Sequence, residues 1–182
     1  MGSGHTHVLL LRGINVGKAK RIAMADLRVL VEGLGCRDVK TLLNSGNVVC
    51  TTSKSDGLAA RAQKAIASKL GVTARVTAIS ADELAEIVRD NPLLDVATDP
   101  SRLLVAFLAD GKDRPKLVAL AREDWKPEAV AVGARAAYLW MPDGVIESRL
   151  AKALDKSLGD AVTSRNWATV LKLAALAGQS VP

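Results

Sequence analysis

Aromatic side chains are scarce in this 182-residue chain, which has three Trp, one Tyr and one Phe. All five lie at or beyond Phe107. The first half therefore offers no ring on which a base could stack, which excludes a platform of the RRM type. Histidine is limited to His5 and His7, close to the start, where chains commonly fray. With no internal histidine and no G-x-S-x-G elbow, Ser-His-Asp hydrolysis and histidine-rich metal chemistry are excluded as readings. The H-x-H pair alone is too little for a metal site. Only two cysteines occur, Cys36 and Cys50, without a disulfide framework or C-x-x-C spacing. Both read as reduced thiols, Cys50 in the core and Cys36 partly exposed in a turn. No apolar run approaches the ~20 residues of a bilayer span. No leader pattern is visible, so the expected setting is cytoplasmic and away from the membrane.

What is present is positive charge, unevenly placed. The net charge is +6, and residues 1–50 hold seven basic side chains against three acidic ones. The excess begins in "LLLRGINVGKAK", Leu9 to Lys20, where an apolar strand runs into Arg, two glycines and lysines. That composition resembles a phosphate-cradling loop, but the P-loop pattern G-x-x-x-x-G-K-[ST] fails at both ends. Its first glycine falls on Arg12 and its hydroxyl on Ala19.

Hydrophobic periodicity gives the order of elements. His7 to Leu11 reads as a strand. Met24, Leu27, Leu30, Val31 and Leu34 recur at helical spacing before a glycine cap at 33–35. Val39 to Leu43 and Val48 to Thr51 form a hairpin around "NSGN". A helix capped by Ser55 or Asp56 carries Leu58, Ala62, Ile66 and Leu70, and Thr73 to Ile79 alternates as a strand. The order is βαββαβ. Ser80-Ala81-Asp82-Glu83 has the form of a capping box and opens a connecting helix that ends before Pro92.

The same order then recurs. Leu103 to Leu108 is a strand, Pro115 to Arg122 a helix, and Glu128 to Val132 with Arg135 to Trp140 a hairpin. A helix from Leu150 to Leu158 and a short strand from Ala161 to Thr163 complete it. A last helix, Asn166 to Ala177, presents Trp167, Val170, Leu171 and Ala174 on one stripe. The expected fold is α+β: two tandem ferredoxin-like βαββαβ units with a connecting helix and a C-terminal helix. The expected boundaries are residues 1–79 for the first unit, 80–100 for the connector, and 101–182 for the second unit with the final helix. Each sheet has helices on one face and needs a cover on the other.

Several of these segments together resemble a bacterial family catalogued as domain of unknown function 1697. The resemblance rests on "LLRGINVG" (10–17), "MADLRVLVEGLG" (24–35), "SGNVV" (45–49), "NP" (91–92) and "RNWATVLKLAALA" (165–177). It implies an α+β fold and supplies no reaction, substrate or cofactor. The chain departs from the family at Asn44, where glutamine is usual, and at Lys18, where a second glycine often follows Gly17. Cys50 and Leu93 stand where the family tends to have aromatics. These changes touch packing and loop shape more than polar chemistry.

Three segments carry candidate ligand-binding residues. In the first, Arg12, Gly13, Asn15 and Lys18 follow an apolar strand, so a guanidinium and open amides could meet an anion at a strand's carboxyl end. The competing reading is a long connection with Arg12 paired to a local carboxylate. In the second, Ser45 and Asn47 bring dipolar groups that a tight hairpin turn also explains. The expected hairpin position is the opposite sheet edge, roughly 16 Å from the end of the first strand, too far for one small ligand to touch both. In the third, Arg165 and Asn166 sit at the start of the last helix, where an anion is favoured, with Ser164 or Thr163 as the plain N-cap alternative. The leading functional expectation is a protein that binds an anionic small molecule or nucleic acid through the basic loop. The alternative is a small-molecule enzyme with a cleft between the repeats, Arg12 and Arg165 holding a phosphate or carboxylate. No nucleophile, metal site or cofactor is indicated by the residues, and Asp82, Glu83 and Glu86 read as a solvated helix face.

Overall fold

The computed structural model describes residues 4–181; residues 1–3 and 182, which the expected end units include, lie outside the described residues. The first half runs β1 (His5–Arg12), α1 (Met24–Glu32), β2 (Arg37–Leu42), β3 (Asn47–Thr52), α2 (Leu58–Leu70) and β4 (Arg75–Ser80), followed by α3 (Ala81–Arg89). The second runs β5 (Leu103–Leu108), α4 (Arg114–Leu120), β6 (Ala129–Val132), β7 (Ala136–Trp140), α5 (Arg149–Leu158) and β8 (Val162–Asn166), followed by α6 (Trp167–Leu176).

Two four-stranded sheets result, in the orders β2-β3-β1-β4 and β6-β7-β5-β8. Every recorded pairing is antiparallel. Each is the split βαβ arrangement, in which the third strand of a unit inserts beside the first. The strand alternation explains why. Leu9 and Leu11 of β1 point to the same side as Val48, Cys50 and Val76, and they join Leu27, Leu30 and Val31 of α1 and Leu58 and Ile66 of α2 in one core. In the second sheet Ala106, Leu108, Leu139 and Val162 meet Leu117 and Leu120 of α4 and Leu150 and Leu154 of α5. Each fully buried leucine contributes about 1.5–3 kcal/mol relative to exposure, so the helical faces define both cores.

Contacts divide the chain into two compact units, one of residues up to Leu84 with Leu173–Ser180 and one holding Ala85–Lys172. Among the described residues no helix is long and apolar enough to cross a membrane.

Several local expectations change. The helix α2 has no side-chain cap: its N-cap is Gly57 at φ 63, and Arg61 donates to the carbonyls of Lys54 and Asp56 instead of Ser55 or Asp56 capping. The guanidinium ties down the carbonyls that precede the helix, while the first helical amide, Leu58 N, donates to the backbone carbonyl of Ser55 at 3.0 Å and not to a side-chain cap. Strand β8 is longer than expected and α6 starts later, with Asn166 as its cap: the Thr169 amide donates to Asn166 Oδ1 at 2.9 Å. Pairing with β5 holds residues 162–166 extended and so delays the helix. Cys36 is buried, not partly exposed, in the same core as Cys50. Burial, then the neighbouring Cys36 thiol, pushes the Cys50 thiol up to about 12. The Ser80 capping box is as expected: Glu83 N donates to Ser80 Oγ at 3.1 Å and Ser80 N to Glu83 Oε2 at 2.9 Å.

Candidate functional site

The chain leaves β1 at Arg12, which is half-buried and stands opposite Arg75 of β4. Both arginines are engaged in interactions within the structure. Gly13 follows at φ 80 and then Asn15 at φ 53, two consecutive left-handed excursions separated by the buried Ile14. Asparagine is among the few residues that tolerate this conformation, because its short amide can bond locally. Here it does so at both ends. Asn15 Oδ1 accepts from the Ile22 amide at 2.8 Å, while Nδ2 donates to Ile22 O at 3.0 Å and to Asn44 O at 2.7 Å. The Asn15 amide adds a bond to Lys20 O at 3.0 Å. Residues 15–22 are thereby closed into a loop whose ends are clamped and whose tip is exposed.

The bond to Asn44 O overturns the expected separation between this loop and the hairpin. Strand β3 lies beside β1 and runs against it, so Leu10, near the end of β1, pairs with Asn47, the start of β3. The β2–β3 turn therefore lies next to the end of β1, with the Leu11 amide donating to Gly46 O at 2.8 Å. The expectation had counted the length of a strand where the insertion of β3 leaves none. Gly46 is required at this junction: it has φ +83, and an added Cβ would lie 2.7 Å from Leu11 Cβ and 2.8 Å from Ile14 Cδ1. Asn47 is fully buried and donates to Leu42 O at 2.8 Å and to Ser45 Oγ at 2.9 Å. It thus builds the turn and lies beneath it, with Ser45 exposed above.

Lys18, Lys20 and Arg21 are exposed along the clamped loop. Arg21 donates to Gly17 O at 3.3 Å, and no ion pair among the described residues involves any of the three. No acidic residue occurs between Arg12 and Asp26. Three cations without local counter-charge thus share one end of the first unit with Arg12, Gly13, Asn15, Ser45 and Asn47.

Arg165 and Asn166 belong to the second unit and are the last two residues of β8, where Asn166 also caps the start of α6. Arg165 pairs with Val105 and Asn166 with Leu104 across β5–β8. Arg165 donates to Ser164 O at 2.9 Å, and burial brings its guanidinium down to about 10. The site also includes side chains that sequence reasoning passed over. Val16, next to the clamp residue Asn15, is 75% exposed, and Leu43, which opens the hairpin turn, is 53% exposed at φ 57. The signal for Leu43 was its place directly before "NSGN", a position that a turn fills more easily with Gly or Asn.

Comparison with known proteins agrees with the fold. The model of a family described as "Protein of unknown function (DUF1697)" matches residues 5–138. The chain belongs to that family. No curated protein matches it. Among solved structures, the conserved bacterial protein SP0830 from Streptococcus pneumoniae superposes with a TM-score of 0.78 at 23% identity, over 96% of this chain and 99% of that one. At that identity the likeness shows the fold alone. A putative chlorite dismutase, TA0507, reaches a TM-score of only 0.25 at 14% identity, over 97% of this chain and 99% of that one, and carries no argument.

Proposed function

We propose that this DUF1697 protein binds a phosphate-bearing anion, a nucleotide or nucleic acid, through the loop after β1. The observation that carries the reading is the clamped loop with Lys18, Lys20 and Arg21 exposed and free of ion pairs among the described residues. A cation already paired with a carboxylate has little to offer a phosphate, whereas an unpaired one gains by releasing the phosphate's counter-ions. Asn15 acts here by positioning: its amide holds the loop and is not itself offered to the ligand. Arg12, at the strand end, adds positive potential from behind the loop, and Gly13 lets the chain turn out of the sheet.

The test is fluorescence anisotropy with a labelled oligonucleotide and with a labelled mononucleotide over a salt series. With three loop cations engaged on a single strand, log K should fall against log salt with a slope of about −2. The triple variant Lys18→Ala, Lys20→Ala, Arg21→Ala should lose at least about tenfold in affinity at low salt while keeping its melting temperature. An affinity indifferent to both salt and the triple substitution defeats the proposal.

A further inference from the structure

The two overlooked aliphatic side chains define the kind of partner, given the phosphate reading above, on which this step rests. Leu43 is in a left-handed conformation, φ 57, that a γ-branched residue adopts at a cost and that Gly or Asn adopts readily. Such strain persists in a folded protein when something compensates for it, and burial does not: the side chain is 53% exposed. Val16, 75% exposed, stands one residue from Asn15, and Leu43 one residue from Asn44; Asn15 Nδ2 bonds Asn44 O at 2.7 Å. One hydrogen bond therefore links two exposed aliphatic tips that belong to separate loops, beside Lys18, Lys20 and Arg21.

We infer that this surface docks unpaired nucleic acid, Leu43 and Val16 lying on base faces while the lysines and arginine meet the backbone phosphates. Among nucleic-acid polymers a single strand, and not a duplex, offers apolar base faces and phosphates side by side, because a duplex stacks its bases inside. All five aromatic residues are buried, so apolar contact with a base beside the basic loop falls to the aliphatic tips Val16 and Leu43. An anionic bilayer would also match cations beside aliphatic side chains. It fits less well, because exposed Asn44 and Ser45 flank Leu43 and would lose water to acyl chains without gaining partners. Base edges supply both donors and acceptors to such groups.

The experiment compares a labelled single strand, the matching duplex and anionic phosphatidylserine vesicles, with the wild-type chain, Leu43→Gly, Val16→Ser and the triple cation variant. The single strand should bind at least about fivefold tighter than the duplex. Leu43→Gly and Val16→Ser should each weaken the single strand several-fold with the salt slope unchanged, since the slope counts phosphates and not base contacts. Leu43→Gly should also melt no lower than wild type, and up to roughly 2–4 °C higher, because glycine relieves the left-handed strain. Equal binding of duplex and single strand overturns the inference, as does indifference of the single strand to both aliphatic substitutions. Vesicle binding that depends on Leu43 while oligonucleotide binding does not assigns the surface to lipid instead. Loss of every salt-dependent interaction, with no effect of the triple variant, removes the phosphate reading and this inference together. Loss of strand preference alone removes only the second.

Discussion

At the scale of single residues, the site depends on atoms that face inward. Asn15 satisfies the amide of the buried Ile22 and ties the loop to the hairpin through Asn44 O. Replacing it with alanine leaves the Ile22 amide without its acceptor and forces a Cβ residue to keep φ 53 with no local bond in return. Asn15→Ala should lower stability by roughly 1–3 kcal/mol in urea titration and raise protease sensitivity between residues 13 and 22. Gly46→Ala should be worse. The nearer contact is with Leu11 Cβ, which is fixed to its strand's backbone and cannot swing aside, and the left-handed φ of +83 disfavours alanine in any case. A loss above about 2 kcal/mol is expected. The thiols give a pH signature. Cys50 is raised from 9.0 to about 12, so between pH 9 and 10 the unfolded chain gives up this proton while the folded chain keeps it. The resulting stabilisation is complete below pH 9, begins to fall through that window and is lost as pH rises to the folded value of about 12. Tyr138, raised from 10.0 to about 12, adds to the loss above pH 10, whereas buried Arg165, lowered to about 10, acts in the opposite direction and begins to do so near pH 10. Urea midpoints should thus decline from pH 9 to 10, and Cys50→Ala should flatten that decline.

At the scale of elements, what could be read from the sequence and what could not differ for a physical reason. Helix and strand identity depends on local periodicity, so both βαββαβ orders were legible, as was the Ser80–Glu83 capping box, a pattern four residues long. Ser80→Ala should shift the urea midpoint by about 1 kcal/mol of stability, the usual loss of an N-cap. Features set by pairing between distant segments were not legible. The nearness of the β2–β3 turn to the end of β1 comes from β3 inserting beside β1, with Leu10 opposite Asn47. The extension of β8 to Asn166 comes from β5 alongside it. Neither is written in the residues concerned. The basic loop was visible as composition; its clamp was not, because Asn15 meets a carbonyl 29 positions away. Leu43 was missed for a related reason, since exposure and left-handed backbone are properties of the folded turn.

At the scale of the whole molecule, the charge of +6 is carried by two compact units of which only the first holds the clamped loop. The first unit is discontinuous in sequence. It comprises residues up to Leu84 together with Leu173–Ser180, and Leu173, Ala174 and Ala177 of that second segment are buried. Ending the chain at Lys172 should therefore expose apolar surface in the first unit, seen as dye binding and faster proteolysis within residues 4–84. A consequence reaches into biosynthesis. A ribosome adds about 5–20 residues per second, so the 88 residues from Ala85 to Lys172 occupy roughly 4–18 s of elongation. Throughout that interval the half that emerges first waits for its missing segment, with a seam of greasy side chains open to whatever holdase is near the exit tunnel.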